Sequence, residues 1–328
     1  MKKTKRILRN VLLILVILLI LIFAVTKISG NHRSDPADVI TYETSNPFIT
    51  GKTELIAHRL GAGIAPEESL LAIQTCLENP GISMDIYEFD LRLTADNRLV
   101  LIHDATLDDT TNASSVFGEE GILVLDKTLE ELRTLNTGAN FTDADGNQPY
   151  ADYTELPIEL RILTLEEALD TLTQSGANRF SIEVKDGGEP GMKAVDLLYK
   201  ELSDRNLLGS VIFSSFKTDV SAYAAETYPN LLRSNTDAQA IEFYLAAITG
   251  DDDYIPPCSV FQFPFNDKYL NMGINFGTAQ IINFAHSKNV AVHYWVVDDP
   301  DRMEYLQSIG ADGIMSDYPN LLTETLLK

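Results

Sequence analysis

The stretch IYEFDLRLTADNRLVLIHD, residues 86–104, carries the reading of the fold. Its first part, 86–93, is a β-rich run; a turn follows at Asp96-Asn97, and a second apolar piece, 99–104, ends in His103-Asp104. Glu88 and Asp90 are two residues apart, so on a strand both side chains point to one face, with Ile86, Tyr87 and Phe89 around them. Two carboxylates facing one way repel each other, which marks this strand as part of a site.

Working outward, short β-rich runs alternate with amphipathic helical patterns, the signature of parallel βα units. Eight strand candidates are found, at 54–59, 86–93, 179–185, 210–216, 230–235, 259–264, 290–297 and 311–316. Helices fit the intervals, for example Glu67 to Asn79, Leu165 to Ser175, Met192 to Arg205, Phe276 to Ser287 and Pro300 to Ile309. The alternation predicts an α/β fold, a (β/α)8 TIM-type barrel over residues 54–328 with a small insertion after the second strand. That insertion, from Leu99 through Leu163, is rich in Asp, Asn, Thr and Gly, and a segment so long inside a compact domain is usually functional. A run of three acids, Asp251 to Asp253, lacks the alternating spacing of a calcium loop and reads as a solvated turn.

Residues 1–30 form a different region. Lys2, Lys3, Lys5, Arg6 and Arg9 precede an uninterrupted apolar run, Val11 to Val25, which predicts a basic cytoplasmic tail and a spanning signal anchor over about residues 7 to 26. The rival reading is a cleaved signal peptide and a secreted protein, but no small-x-small site follows the run. Either way the rest of the chain lies outside the cytoplasm, first through a polar juxtamembrane linker, 31–53. The formal net charge of the 328-residue chain is -23, and a polyanion-repelling surface argues against nucleic acid as partner. No protein partner is indicated. Cys76 and Cys258 fall on opposite sides of the expected barrel and read as small buried apolar residues rather than a disulfide.

Catalytic groups of such barrels come from the carboxyl ends of the strands, and reactive side chains gather there. The first strand ends in His58-Arg59, the second carries Glu88 and Asp90, the hairpin ends in His103, and the third parallel strand carries Glu183 and Lys185. Three carboxylates together are costly to desolvate unless a cation sits among them, and an all-oxygen set without Cys favours one divalent metal, Ca2+ or Mg2+. The plainer alternative is that these acids pair with Arg59, Arg92 and Lys185 as a structural network. His58 and His103 supply groups able to move a proton near neutral pH, and Arg59 and Lys185 supply positive charge for phosphoryl oxygens. Together these parts describe phosphoryl chemistry.

The strings HRLGAGIAPEESLLAI (58–73), EFDLRLTADNRLVLIHDATLDDTTN (88–112), ILTLEEAL (162–169), IEVKD (182–186), YWVVDD (294–299) and ADGIMSDYP (311–319) resemble, in order and spacing, the motifs of the glycerophosphodiester phosphodiesterase family. The resemblance runs from about Glu54 to the C-terminus. It implies that His58 and His103 are acid/base catalysts, that Arg59 and Lys185 bind substrate, and that Glu88, Asp90 and Glu183 hold the metal. It further implies that Trp295 stands near the substrate mouth and that Glu67 either supports the site from behind or helps to start the following helix. The expected enzyme is a phosphoric diester hydrolase that converts small glycerophosphodiesters to glycerol 3-phosphate and an alcohol. The alternatives are a phospholipase acting on lysolipids or inositol lipids, and a non-catalytic, metal-stabilised surface binding protein. Leu60, Glu68, Ser69, Asn97 and Asp109 depart from the family's pattern without removing a proposed catalytic group; Asn97 can still make the left-handed turn, whereas Leu60 and Glu68 bear on the shape and charge of the pocket rim and so on substrate preference.

Overall fold

The structure is a computed structural model that describes residues 16–17, 21, 24, 28–30, 32–153 and 155–327. Eight strands form among the described residues: β1 (Glu54–Ala57), β2 (Ile86–Leu93), β3 (Leu99–Leu101), β4 (Phe180–Val184), β5 (Val211–Ser214), β6 (Val260–Pro264), β7 (Ala291–Trp295) and β8 (Gly313–Ser316). Seven of them run parallel in the order β5-β4-β2-β1-β8-β7-β6, and β3 folds back antiparallel on β2. The result is a nearly closed parallel barrel with helices around it.

The strand expected at 230–235 is a correction to the eight-strand reading. This segment does occupy the gap between β5 and β6, where Phe213 and Arg233 form an isolated parallel bridge and the Arg233 carbonyl accepts from the amides of Ser259 and Val260. The ladder stops there because a side chain replaces the next backbone partner: Asn235 Oδ1 takes the Gln262 amide at 2.7 Å. Thr236 then opens the helix Asp237–Thr249 with a capping box closed by Gln239. Short polar side chains compete with the ladder for backbone groups, and here they end it before a strand is established.

Sequence dictates the helix starts in the same way. Thr128 and Thr164 each accept from the amide three residues on and are answered by Glu131 and Glu167, so the helices Leu129–Leu132 and Leu165–Gln174 begin on capping boxes. The long insertion is not structureless. Val100, Ile102, Leu107, Ile122, Val124, Leu132, Leu135 and Ile162 give it a small apolar core of its own beside β3. Asp251 to Asp253 lie in an exposed turn, and both cysteines are free, Cys76 within the helix Leu70–Glu78.

The anchor expected at residues 7–26 lies outside the described residues, apart from Val16, Ile17, Leu21 and Ala24, which are helical and exposed. Among the described residues no helix is long and apolar enough to cross a membrane. Residues 32–53, read as a linker, lie along the flank of the barrel. Ser34 Oγ accepts from the Ala279 amide at the start of the helix Ala279–Ser287, Asn283 is held by Ile40 and Asp38 in its middle, and Asn46 reaches Asn289 and Ser259 beyond its end. Phe48 then fills the amino-terminal end of the barrel, fully buried among Ile56, Ile86, Ile212, Val260, Ala291 and Met315. Just above it His293, also buried, has no hydrogen-bond partner among the described residues, and burial drives it down to about 3, so it is a neutral part of this floor. Phe48→Ala is expected to cost about 3–5 kcal/mol through lost burial and the cavity left behind, read as a lowered midpoint in chemical denaturation.

Candidate active site

The site lies at the carboxyl ends of the strands, as barrel geometry requires. A cavity of about 190 Å³ is lined by His58, Arg59, Glu88, Asp90, His103, Glu183, Lys185 and Trp295, together with Ser181, Ser214, Phe216, Gln262, Val296 and Met315. Eight of the nine side chains expected from the sequence therefore converge. The ninth, Glu67, stands behind Arg59, whose guanidinium donates to both of its carboxylate oxygens at 3.0 and 3.1 Å.

Strand register explains the carboxylate cluster. Asp90 is paired with Glu183 across β2 and β4, and Glu88 lies one inward-facing position below, opposite Ser181. Burial and like charge push Glu88 up to about 8 and Glu183 up to about 7. Lys185 Nζ sits 3.1 Å from Glu183 and 3.5 Å from Asp90, and Arg59 Nε faces Asp90 Oδ2 at 3.6 Å without a hydrogen bond. Arg92, by contrast, turns away from the cluster, binding Asp186 at 2.7 Å and the His103 carbonyl.

The turn after β1 is strained to present His58 and Arg59. Arg59 and Leu60 adopt φ of 45° and 65°, and the Arg59 amide donates to Glu88 Oε2 at 2.8 Å. Left-handed backbone at a β-unbranched but bulky residue such as Leu60 is a cost that the surrounding packing must offset, and Leu60 is completely buried. Because β1 departs here, β2 loses its ladder partner. Glu68 replaces it, its Oε1 accepting the Asp90 amide at 3.0 Å, which makes Glu68 a positioning residue for the cluster.

The two histidines sit in opposed environments. His58 is buried, which alone would pull it down, but its Nδ1 donates to Asp317 at 2.5 Å and Glu88 lies 4.0 Å from its Nε2; the sum holds it above the ordinary imidazole value. His103 is pulled below that value, chiefly by burial and also by Lys185 and Arg59, against the opposing pull of Asp90 and of Asp104, which accepts from its Nδ1 at 2.8 Å. Trp295 packs edge-on against Phe216, ring centres 5.8 Å apart, and the pair forms an aromatic lip.

Sequence reasoning missed Asp317, Phe216, Ser181, Ser214 and Gln262, and placed Glu68 at the pocket rim rather than on the Asp90 amide. Asp317 follows β8 directly, and the strand-end rule that picks out His58 would have found it. Gln262 and Ser181 leave no such signal; they meet only because Nε2 of one reaches Oγ of the other across the barrel at 3.0 Å.

Among the described residues no three His, Cys, Asp or Glu side chains close into a metal cage. Lys185 occupies part of the space between Asp90 and Glu183. The donor set still fits a hard divalent cation: three carboxylates converge, two of them raised by burial first and by neighbouring negative charge second, and Asp90 Oδ2 is buried without a hydrogen-bond partner among the described residues.

The profile of the family described as "Glycerophosphoryl diester phosphodiesterase family" matches residues 58–321. A Bacillus subtilis protein named glycerophosphodiester phosphodiesterase is 27% identical over 283 residues, 81% of this chain and 84% of its own length. A namesake from Caldanaerobacter subterraneus is 29% identical over 285 residues, 84% of this chain and 99% of its own length. Of solved structures, an Oleispira antarctica phosphodiesterase in complex with the product sn-glycerol-3-phosphate superposes with a TM-score of 0.62 at 20% identity, covering 86% of this chain and 99% of the other. That likeness establishes the barrel fold.

Proposed function

The chain belongs to the glycerophosphoryl diester phosphodiesterase family and is an enzyme of that class, and from this premise we propose that it hydrolyses small glycerophosphodiesters to glycerol 3-phosphate and an alcohol by metal-assisted, two-histidine catalysis. The observation that carries the reading is the meeting of two oppositely tuned histidines, three carboxylates and two cations in one cavity.

Glu88, Asp90 and Glu183 would hold one divalent cation, Ca2+ or Mg2+. When bound there, it supplies Lewis-acid polarisation of a phosphoryl oxygen. Arg59 offers its planar fork and Lys185 a point charge to the remaining phosphoryl oxygens. His103, biased toward its neutral form, takes the proton from the attacking oxygen; His58, stabilised as imidazolium by Asp317, gives one to the departing alcohol. The P–O bond to the alcohol breaks as the bond to the attacking oxygen forms. That oxygen belongs to water or to the neighbouring glycerol hydroxyl, and 31P NMR of the reaction separates the two routes, since only the second passes through a cyclic phosphate. A binding protein would have no use for both proton-transfer groups, which favours the catalytic reading. Phe216 and Trp295 at the lip keep a lysolipid substrate in view as a second reading.

The assignment of the histidines fixes the sign of a pH effect. Activity rises as His103 loses its proton, below the ordinary imidazole value, and falls as His58 loses its own, above it. Asp317→Asn removes the charge that holds His58 up, so the alkaline limb of kcat/KM against pH is expected to move to lower pH while the acid limb stays. An unchanged alkaline limb would exclude His58 as the acid.

The basic flank and the apolar run Val11 to Val25 support a single-pass anchor with the barrel outside the cytoplasm. Partition of the full chain into the membrane fraction, with protease access to the barrel from outside, tests this placement.

A further inference from the structure

We propose that the catalytic end of the barrel, not the opposite end, is apposed to the lipid surface, so that the enzyme draws its substrate from phosphodiesters at that surface. The inference rests on the anchor and the activity proposed above and adds an orientation that neither supplies. It comes from where the chain enters the folded domain. Ser29 Oγ donates to the Gly273 carbonyl at 3.0 Å, and Asn275 Nδ2 donates to the carbonyls of Ser29 and His32 at 3.3 and 2.8 Å. Gly30 packs so closely on the backbone of Leu270 that no side chain would fit there. Residues 265–278 are the loop that leaves the carboxyl end of β6, and the Phe265 amide donates to the carbonyl of Trp295, a residue of the cavity itself. The entry point is therefore on the catalytic rim. From it the strap 32–53 runs down the helix Ala279–Ser287 and reaches the far end only at Phe48.

The tether is short. The apolar run ends at Val25 and docking resumes at Ile28 and Ser29, so the two are three peptide steps apart, at most about 11 Å. The headgroup layer on each side of the hydrocarbon is itself about 6 Å thick. The far end of the barrel is separated from the rim by at least the length of a five-residue strand, about 16 Å. A bilayer holding the apolar run thus meets the rim first.

The exposed side chains agree. Val16, Ile17, Leu21 and Ala24 are helical and exposed. At the entry point Ile28 is 72% and Met272 57% exposed, and the short helix Asp267–Asn271 that leads into Met272 carries Lys268 with its ammonium over the Tyr269 ring. Apolar, aromatic and lysine side chains side by side are the composition of a segment lying at a lipid interface.

The test uses the full chain inserted in phosphatidylcholine vesicles that contain a nickel-chelating lipid, with a nitroxide placed in a Cys258→Ser background at Met272→Cys on the rim or at Thr50→Cys by the far end. Headgroup-bound nickel is expected to relax the Met272→Cys probe several-fold more strongly than the Thr50→Cys probe. Equal relaxation, or the reverse order, overturns the orientation, as does failure of the chain to float with the vesicles. Hydrolysis of a soluble glycerophosphodiester is measured on the same samples. Turnover with the wrong probe order would sink the orientation and spare the activity, whereas the right order without turnover would sink the activity and spare the orientation.

Discussion

His103→Ala is expected to lower kcat by about two to four orders of magnitude, the contribution usual for a positioned general base. His58→Ala should fall in the same range, with KM changed little in either variant, because in the proposed mechanism both groups act on protons in flight rather than on the bound diester. The two losses should not add: once one proton transfer fails, the other has little left to accelerate, and the double variant is expected near the slower single one. His103 is only partly buried and its contact with Asp104 is local, so His103→Ala should retain the thermal midpoint of the parent. His58 is enclosed and bound to Asp317, and Asp317→Asn alongside it separates loss of catalysis from loss of packing. Near-parental turnover in either alanine variant would remove that histidine from the mechanism.

Glu88→Gln has the second large effect expected, and it should split function from stability. Glu88 is buried beside Asp90 and Glu183, and its carboxyl is pushed up to about 8, so ionising it costs the folded state free energy that the unfolded chain does not pay. The sign is set by that raised value. The cost is absent below the ordinary carboxylate range, grows as pH rises, and is fully present above about 8. Glutamine removes it while keeping an oxygen to accept the Arg59 amide. In chelator at alkaline pH, Glu88→Gln is therefore expected to melt no lower than the parent. With Ca2+ or Mg2+ present the order should reverse, since the parent gains stability from a bound cation and the variant does not. Isothermal titration should show cation binding lost in the variant, and activity lost with it. A parent chain whose melting temperature ignores both cations and chelator would contradict the carboxylate assignment.

Much of the site is visible in the sequence because a parallel barrel places chemistry at the carboxyl ends of its strands. His58, Arg59, Glu88, Asp90, His103, Glu183 and Lys185 all lie in or just after β-rich runs, and the cavity gathers them. Period two puts Glu88 and Asp90 on one face, and the register then brings Glu183 opposite Asp90. What escapes the sequence depends on contacts between distant residues. Segment 230–235 has the composition of a strand, yet Asn235 answers Gln262 with its side chain and the ladder ends. Glu68 completes the edge of β2 from 22 residues away, a role that no local pattern displays. Residues 32–53 are polar and aperiodic, and only their long-range hydrogen bonds to the barrel and the burial of Phe48 show that they belong to it.

The most direct measurement is release of glycerol 3-phosphate from glycerophosphocholine and glycerophosphoethanolamine by the full chain, assayed in Ca2+, in Mg2+ and in excess chelator, with His103→Ala in parallel. Release is expected to require a divalent cation and to disappear in the variant. Undiminished release in chelator, or no release with either cation from a folded chain, would contradict the proposed function.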